Sequence, residues 1–401
     1  MKHYIIILAL LFLVSCNKQE TSYQNNFEHI KDSLKTIYAP DTRVEVYHIN
    51  LTKQEKTLLV TGETTNADVI SALSSSLLKA IDTSGNLNID FDIDLLPNTS
   101  VGETKYALVN NSVANIRSKP KHSAELATQA ILGTVLNVLK IEGDFYLVQT
   151  PDRYISWVDH GGVTLITDTE LKEWQATPKI IYTETFGHVY ASDEPDAPII
   201  SDIVLGSQLK LVNTKKDSYK VSYPDNRIGY IKKEEAMPYN VWLDILEPSA
   251  DLIETTAMKF IGAPYLWGGT STKGMDCSGF TKTVFFMNGF VIPRDASQQI
   301  NAGKLVDEDL RFDNLQKGDL LFFGKKATDS TKQRTTHVGI WLNNANNEFI
   351  HASGRVKINS INPEAPNYDA LNKNRYLGAK RYLGVDDRLI KNLKEHHNLT
   401  P

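Results

Sequence analysis

Apolar and polar residues alternate in short runs along most of this chain, and the runs fall into four blocks. In the first, Val44–Ile49, Thr57–Glu63 and Leu87–Ile93 alternate with period two, which predicts half-buried strands. Between them Val69, Leu73, Leu77 and Ala80 recur at helical spacing behind a cap at Asn66-Ala67-Asp68, predicting a helix that runs to about Ile81. Residues 27–105 therefore read as a small α/β unit. The second block, residues 106–166, consists of short alternating strands with polar turns about every ten residues, the pattern of a small β-barrel. The third, residues 179–238, repeats it. Leu132-Gly133-Thr134-Val135-Leu136 and Leu205-Gly206-Ser207-Gln208-Leu209 are the same turn and strand, each followed about a dozen residues later by an aromatic strand. A helical stretch, Asp168–Ala176, joins the copies. The fourth block, residues 240–384, reads as α+β. Ser249 caps a helix from Ala250 to Ile261 with Leu252, Ile253, Ala257, Phe260 and Ile261 on one side, closed by Pro264. A second helical pattern (Phe280, Val284, Met287) follows Cys277 and stops at Gly289. Strands are expected at 319–323, 337–342 and 348–352, with 376–383 as an edge strand. The charged tail, 385–401, is expected to be a short helix or disordered.

Composition changes this picture in three places. The chain has 401 residues, enough for two to four domains. Its 43 basic and 48 acidic residues leave a net charge of −5, which argues against a nucleic-acid-binding surface. It has two cysteines, Cys16 and Cys277. Lys2 followed by an apolar run from Tyr4 to Val14 is too short to span a bilayer and fits a secretory signal. Leu13-Val14-Ser15-Cys16 resembles a bacterial lipobox. That resemblance implies a signal peptide at 1–16, Cys16 as the lipid-modified first mature residue, and a polar tether at 17–26. A periplasm-facing, lipid-anchored protein secreted across the inner membrane is expected. A plain signal peptide with a chance cysteine is the alternative. With Cys16 lipidated, Cys277 has no disulfide partner although the compartment permits disulfides.

Cys277 lies where the loop after Trp267-Gly268-Gly269 becomes a helix. Free N–H groups at a helix start favour a thiolate over a thiol and supply a donor for an oxyanion. His337 starts one predicted strand and His351 ends the next, 14 residues later. If those strands pair as a hairpin, His337 can deprotonate Cys277 while His351 fixes its tautomer. Taken singly, each histidine is more often a structural or exposed residue, and a lone cysteine an inert small hydrophobe. No Cys-x-x-Cys or His-Glu-x-x-His is present, so no metal and no cofactor are expected.

The motifs around these residues resemble those of the NlpC/P60 family, papain-like cysteine peptidases of bacterial cell-wall turnover. They are Pro264-Tyr265-Leu266-Trp267-Gly268-Gly269, Asp276-Cys277-Ser278-Gly279-Phe280, Pro293-Arg294-Asp295-Ala296-Ser297-Gln298-Gln299, Leu315-Gln316-Lys317-Gly318-Asp319-Leu320, His337-Val338-Gly339-Ile340 and Phe349-Ile350-His351-Ala352. Ser112–Pro120 resembles the opening of a bacterial SH3 domain, and the first block resembles a BON-type module, with a plain spacer domain as the alternative. The resemblance implies an α+β papain-like catalytic domain preceded by two SH3-like β-barrels and a small N-terminal α/β domain. It implies Cys277 as nucleophile, His337 as base, His351 as orienting residue and Tyr265 as an aid to the oxyanion hole. Trp267, Asp276, Ser278 and Asp295 match groove residues; for Asp276 and Asp295 the alternative is capping. Many relatives have serine at the position of Ala296. Glu125 and Tyr154 in the first barrel match a pair that meets the free amine of an N-terminal L-alanine; a solvated charge and barrel packing are their alternatives.

The expected activity is hydrolysis of the γ-D-Glu–diamino acid bond in peptidoglycan stem peptides, L-Ala-γ-D-Glu-diamino acid, by a monomer held to the membrane through its lipid. Two rivals stand beside it: a non-catalytic wall-binding lipoprotein, and a thiol amidase or acyltransferase on another wall substrate.

Overall fold

The computed structural model describes residues 23–81 and 87–395. The expected signal peptide, Cys16 and residues 17–22 of the tether lie outside them. The chain divides into two compact units, at Met1–Ser100 and Val101–Pro401.

In the first unit residues 23–38 are helical, so the expected tether gives way to structure by Tyr23, which is buried with Phe27 and Leu34. Strands Tyr47–Gln54 and Thr57–Thr64 form a hairpin, and the helix Ala67–Ala80 crosses to strand Asn88–Leu95, which pairs parallel to the second. Asn66 caps that helix through the Asp68 N–H. Val69, Leu73 and Leu77 carry its buried stripe onto Leu58 and Val60, while Ala80, expected on that stripe, is exposed. The first strand begins at Tyr47 and not Val44. Asp41 accepts from the N–H groups of Val44 and Glu45, which turns that stretch away from the sheet.

The second unit begins with two seven-stranded antiparallel sheets of one topology. In chain order the first has strands at Tyr106–Val109, Val113–Arg117, Leu126–Ile131, Val135–Glu142, Phe145–Gln149, Ile155–Asp159 and Val163–Ile166. The second repeats the same neighbour order over Lys179–Tyr182 to Ala236–Pro238. The helix Asp168–Ala176 links them behind a Thr167–Glu170 capping box. Leu132 of the first module packs into the core of the second, and Ile181 and Leu205 of the second pack into the core of the C-terminal α+β region.

The α+β region is built on a six-stranded sheet ordered Lys304–Leu305, Tyr376–Arg381, Leu320–Lys325, Arg334–Trp341, Glu348–Ser353, Arg355–Ser360. Period-two alternation sends Leu320 and Phe322 into one core, shared with the helix Cys277–Phe286, and Leu321 and Phe323 into another with Trp341 and Tyr376. Three expectations change. The helix from Ala250 ends at Met258, leaving Ile261 exposed. Tyr376–Arg381 is an inner strand, because the short Lys304–Leu305 strand covers its outer edge. The tail is strapped down as far as residue 395: Lys391–Asn392 pairs with Phe290–Val291, and Ile390 and Leu393 are buried. Those two apolar residues anchor a stretch whose charge suggested solvent.

Candidate active site

The nucleophile is positioned by its cap. Asp276 precedes the Cys277–Phe286 helix; its Oδ1 accepts from the Gly279 N–H at 2.7 Å and its Oδ2 from the Gly268 N–H at 3.0 Å. One carboxylate thus ties the Gly-rich loop to the first helical turn. The approach is close: a Cβ at Gly279 would come within 2.0 Å of the Gly269 carbonyl oxygen. Arg294, 1% exposed, clamps the same carboxylate with two nitrogens at 3.1 and 2.6 Å and reaches Ser278 Oγ at 3.0 Å. Its Nε donates to Thr128 Oγ1 of the first β-module at 3.0 Å. Next to this contact Gln129 Oε1 accepts from the Thr270 N–H and Ser271 Oγ, and its carbonyl accepts from Thr270 Oγ1. Lys282 on the nucleophile helix meets Asp152 of the same module at 2.6 Å. The first module is therefore bonded directly to the loop and helix that carry Cys277.

The imidazoles come together where a ladder ends. Strands Arg334–Trp341 and Glu348–Ser353 pair at Ile340↔Ile350 and Trp341↔Phe349. Beyond that point His337 Nε2 lies 2.7 Å from His351 Nδ1. Gly339 makes room, since a Cβ there would press to 3.1 Å from His351 Cβ. The other ring nitrogen of His351 lies 2.9 Å from Asn359 Oδ1.

Cys277 is buried, and the N–H groups of Val338 and Ser278 point at its sulfur. Burial, followed by the neighbouring Asp276 carboxylate, pushes the thiol up to about 12 against those N–H groups and Arg294. The backbone N–H groups favour the anion as expected, but loss of solvent and one buried carboxylate outweigh them, so a base is needed. Burial also lowers His337 well below its usual 6.5, helped by His351, Arg375 and Lys357. It lowers His351 to about 4, opposed by the Asn359 hydrogen bond and Asp369. Thiol and imidazoles thus rest neutral, and the proton has to move during attack.

This charge state sets the pH dependence. The histidines take up protons only well below 6.5, so the acid limb of kcat/KM is expected below that value, and a limb at pH 7 or above contradicts the site as described. Stability obeys the same sign. The folded pKa of His351 is depressed, so between 6.5 and about 4 the unfolded chain binds more protons, and stability falls as pH drops through that window.

Tyr265 is half-buried beside the thiol. Burial, then the charges of Cys277 and Asp276, hold its phenol far above the usual tyrosine range, so it stays a neutral O–H donor. Trp267 is 63% exposed and its Nε1 donates to Glu125 Oε1 at 2.6 Å, which brings an exposed carboxylate of the first module to the loop before Cys277. Tyr154 is half-buried and lies near the Arg294 guanidinium. Asp276 caps the Cys277 helix, the alternative weighed for it, and Ser278 donates to its carboxylate. Both are buried, with the carboxylate and hydroxyl taken up by the helix cap and Arg294. Asp295 starts the Ala296–Gln299 helix in a capping box with Gln298 and lies 3.8 Å from Arg294. Arg294, Gln129, Gly339 and Asn359 had no assigned role from sequence; the motifs Pro293–Gln299 and His337–Ile340 marked Arg294 and Gly339 alone. Among the described residues no group of three or more His, Cys, Asp or Glu could hold a metal ion.

A thiol at a helix start, an imidazole pair on the adjoining sheet and an α+β core define a papain-like thiol hydrolase. The NlpC/P60 family model matches residues 262–375, and a model described as a bacterial dipeptidyl-peptidase Sh3 domain matches 116–162. The chain is 31% identical over 268 residues to a γ-D-glutamyl-L-lysine dipeptidyl-peptidase of Bacillus cereus, spanning 65% of this chain and 76% of that one. It is 29% identical to dipeptidyl-peptidase 6 of Lysinibacillus sphaericus, across 65% of this chain and 94% of the relative. A crystal structure of an NlpC/P60 family protein from Bacillus cereus superposes with a TM-score of 0.57 at 28% identity, covering 69% of this chain and 99% of that one. The chain belongs to the NlpC/P60 family and is a cysteine peptidase.

Proposed function

We propose that this protein is a peptidoglycan endopeptidase that hydrolyses the γ-D-glutamyl–diamino acid bond of stem peptides bearing a free N-terminal L-alanine. The observation that carries the reading is the junction of Glu125, from the first module, with Trp267, ten residues before the nucleophile. A carboxylate there suits the ammonium end of a short peptide whose second residue presents its γ-carbonyl to Cys277. A relative named γ-D-glutamyl-L-lysine dipeptidyl-peptidase supports the same bond, and one named dipeptidyl-peptidase 6 supports release of a dipeptide.

In the mechanism His337 takes the proton from Cys277 as the sulfur attacks the γ-carbonyl. The Cys277 N–H, free at the helix start, and the Tyr265 hydroxyl are the donors for the oxyanion. The C–N bond breaks as His337 returns its proton to the leaving amine of the diamino acid. A water, deprotonated by His337, then splits the thioester, releasing L-Ala-D-Glu and restoring the thiol. Incubation with L-Ala-γ-D-Glu-diaminopimelate should yield L-Ala-D-Glu by mass spectrometry. Absence of that product with wild type, or its persistence with Cys277→Ala, would refute the proposal. Release of the sugar from an intact muropeptide would instead favour an amidase.

Glu125→Gln is expected to lower kcat/KM for the free-amine tripeptide by roughly 10- to 100-fold, the worth of a hydrogen bond to a charged group. The N-acetylated tripeptide, already poor, should be little affected. Equal losses on both substrates would remove Glu125 from amine recognition.

Residues 1–16 support a further reading, in which the protein is secreted across the inner membrane and held, periplasm-facing, by a lipid on Cys16. Metabolic labelling with an alkynyl fatty acid tests it: wild type should take up label and Cys16→Ser should not.

A further inference from the structure

Three hydrogen bonds in a row determine which ring nitrogen carries each proton. They begin at Asn359, on the strand Arg355–Ser360, next to the strand that bears His351. Asn359 Nδ2 donates to the carbonyl oxygen of Asn367 at 2.8 Å. A carbonyl only accepts, so this contact orients the amide and leaves Oδ1 facing His351 Nε2 at 2.9 Å. An amide oxygen also only accepts, so His351 Nε2 bears a hydrogen. In the neutral ring its Nδ1 is then a lone pair. The 2.7 Å contact between that nitrogen and His337 Nε2 requires His337 to be the donor. Neutral His337 is left with its lone pair on Nδ1.

We propose that Asn359 is a positioning residue that sets the tautomers of both imidazoles, so that His337 presents a bare Nδ1 to the Cys277 thiol. The inference rests on the thiol-hydrolase reading of the site and deepens it. When Cys277 attacks, its proton goes to His337 Nδ1 and the charge stays on that ring. His351 already holds a hydrogen at Nε2, and the Asn359 oxygen cannot take one. The chain of hydrogen bonds thus orients the base without carrying the proton away. With the acceptor at 359 removed, His351 is free to put its hydrogen on Nδ1. It would then donate to His337 Nε2 and place the hydrogen of His337 on the nitrogen that should be bare.

The test combines two variants with a spectroscopic readout. In wild type, 15N NMR of the imidazoles should show both His337 and His351 as the Nε2–H tautomer. Asn359→Leu should populate the Nδ1–H form of His351 and lower kcat at least tenfold with little change in KM. Asn359→Asp keeps an acceptor, so it should retain the wild-type tautomers and kcat within a few-fold. Its added negative charge should move the acid limb of kcat/KM to higher pH. Lys357, Arg375 and Asp369, the charged groups that act on the pair, are unchanged in both variants. An Nδ1–H His351 in wild type overturns the proposal, as does an Asn359→Leu variant with wild-type tautomers and turnover. The wild-type tautomers can be read with no substrate present, so they decide the proposal even if Asn359→Leu does not fold. For the same reason a wrong substrate assignment is distinguishable from a wrong role for Asn359.

Discussion

Arg294→Ala should destabilise the protein by roughly 3–5 kcal/mol, the cost of removing one partner from a buried ion pair. The size comes from what is left behind. Asp276 is buried, and without the guanidinium its charge loses both nitrogens of the clamp. It would still cap the Cys277 helix, so the charge cannot simply turn out to solvent. The same change breaks the Thr128 contact and with it one bond holding the first module against the catalytic core. Arg294→Lys should fall between wild type and alanine, because an ammonium keeps the charge but not the two-pronged geometry. Pairing Arg294→Met with Asp276→Asn should recover part of the loss, because no unpaired charge remains buried. Denaturant unfolding of the single and double variants checks this. A loss below 1 kcal/mol for Arg294→Ala, or a double variant worse than the single, would show that the clamp is not what holds this corner together.

Much of the scaffold was legible because its signals are local. The helix Ala67–Ala80 announces itself through an Asn cap and a regular apolar stripe. The two β-modules do so through a repeated turn-and-strand pattern whose copies share one strand order. Cys277, His337 and His351 stand out because few residue types do this chemistry and their flanks match a family. What stayed hidden depends on residues far apart in the chain. Arginine is ordinarily a surface residue; Arg294 is buried because Asp276 and Ser278 from one segment and Thr128 from another converge on it. Asn359 is one polar side chain in a strand, and its partners are set by a register that no local pattern reports. The resting charge state of Cys277 stayed hidden for a related reason. A helix start is visible in sequence, but the burial and the carboxylate orientation that oppose it are not. In the tail, the charged residues hid two apolar anchors, Ile390 and Leu393, whose spacing is too short to mark an element.

Cys277→Ala and His337→Ala should behave as one lesion. Cys277→Ala removes the bond-forming atom and should abolish turnover. His337→Ala should lower kcat by ~10²–10⁴-fold, the range for a positioned general base. The double variant should be no worse than Cys277→Ala, because the imidazole has no substrate proton to move without the thiol. The resting charge state adds a sharper expectation. Burial and Asp276 hold the thiol up at about 12, so in His337→Ala the thiolate fraction depends on bulk hydroxide. The residual kcat/KM should therefore climb about tenfold per pH unit between 7 and 10, as for any group titrating well above that range. Wild type should be nearly flat there, since its base is already neutral. Alkylation by iodoacetamide gives an independent reading: the wild-type thiol should react slowly at pH 6 and much faster as pH rises. A wild-type thiol that alkylates at pH 6 as fast as at pH 9 would mean a preformed thiolate. The proton would then already be on His337 before substrate arrives, and the neutral resting pair would be wrong.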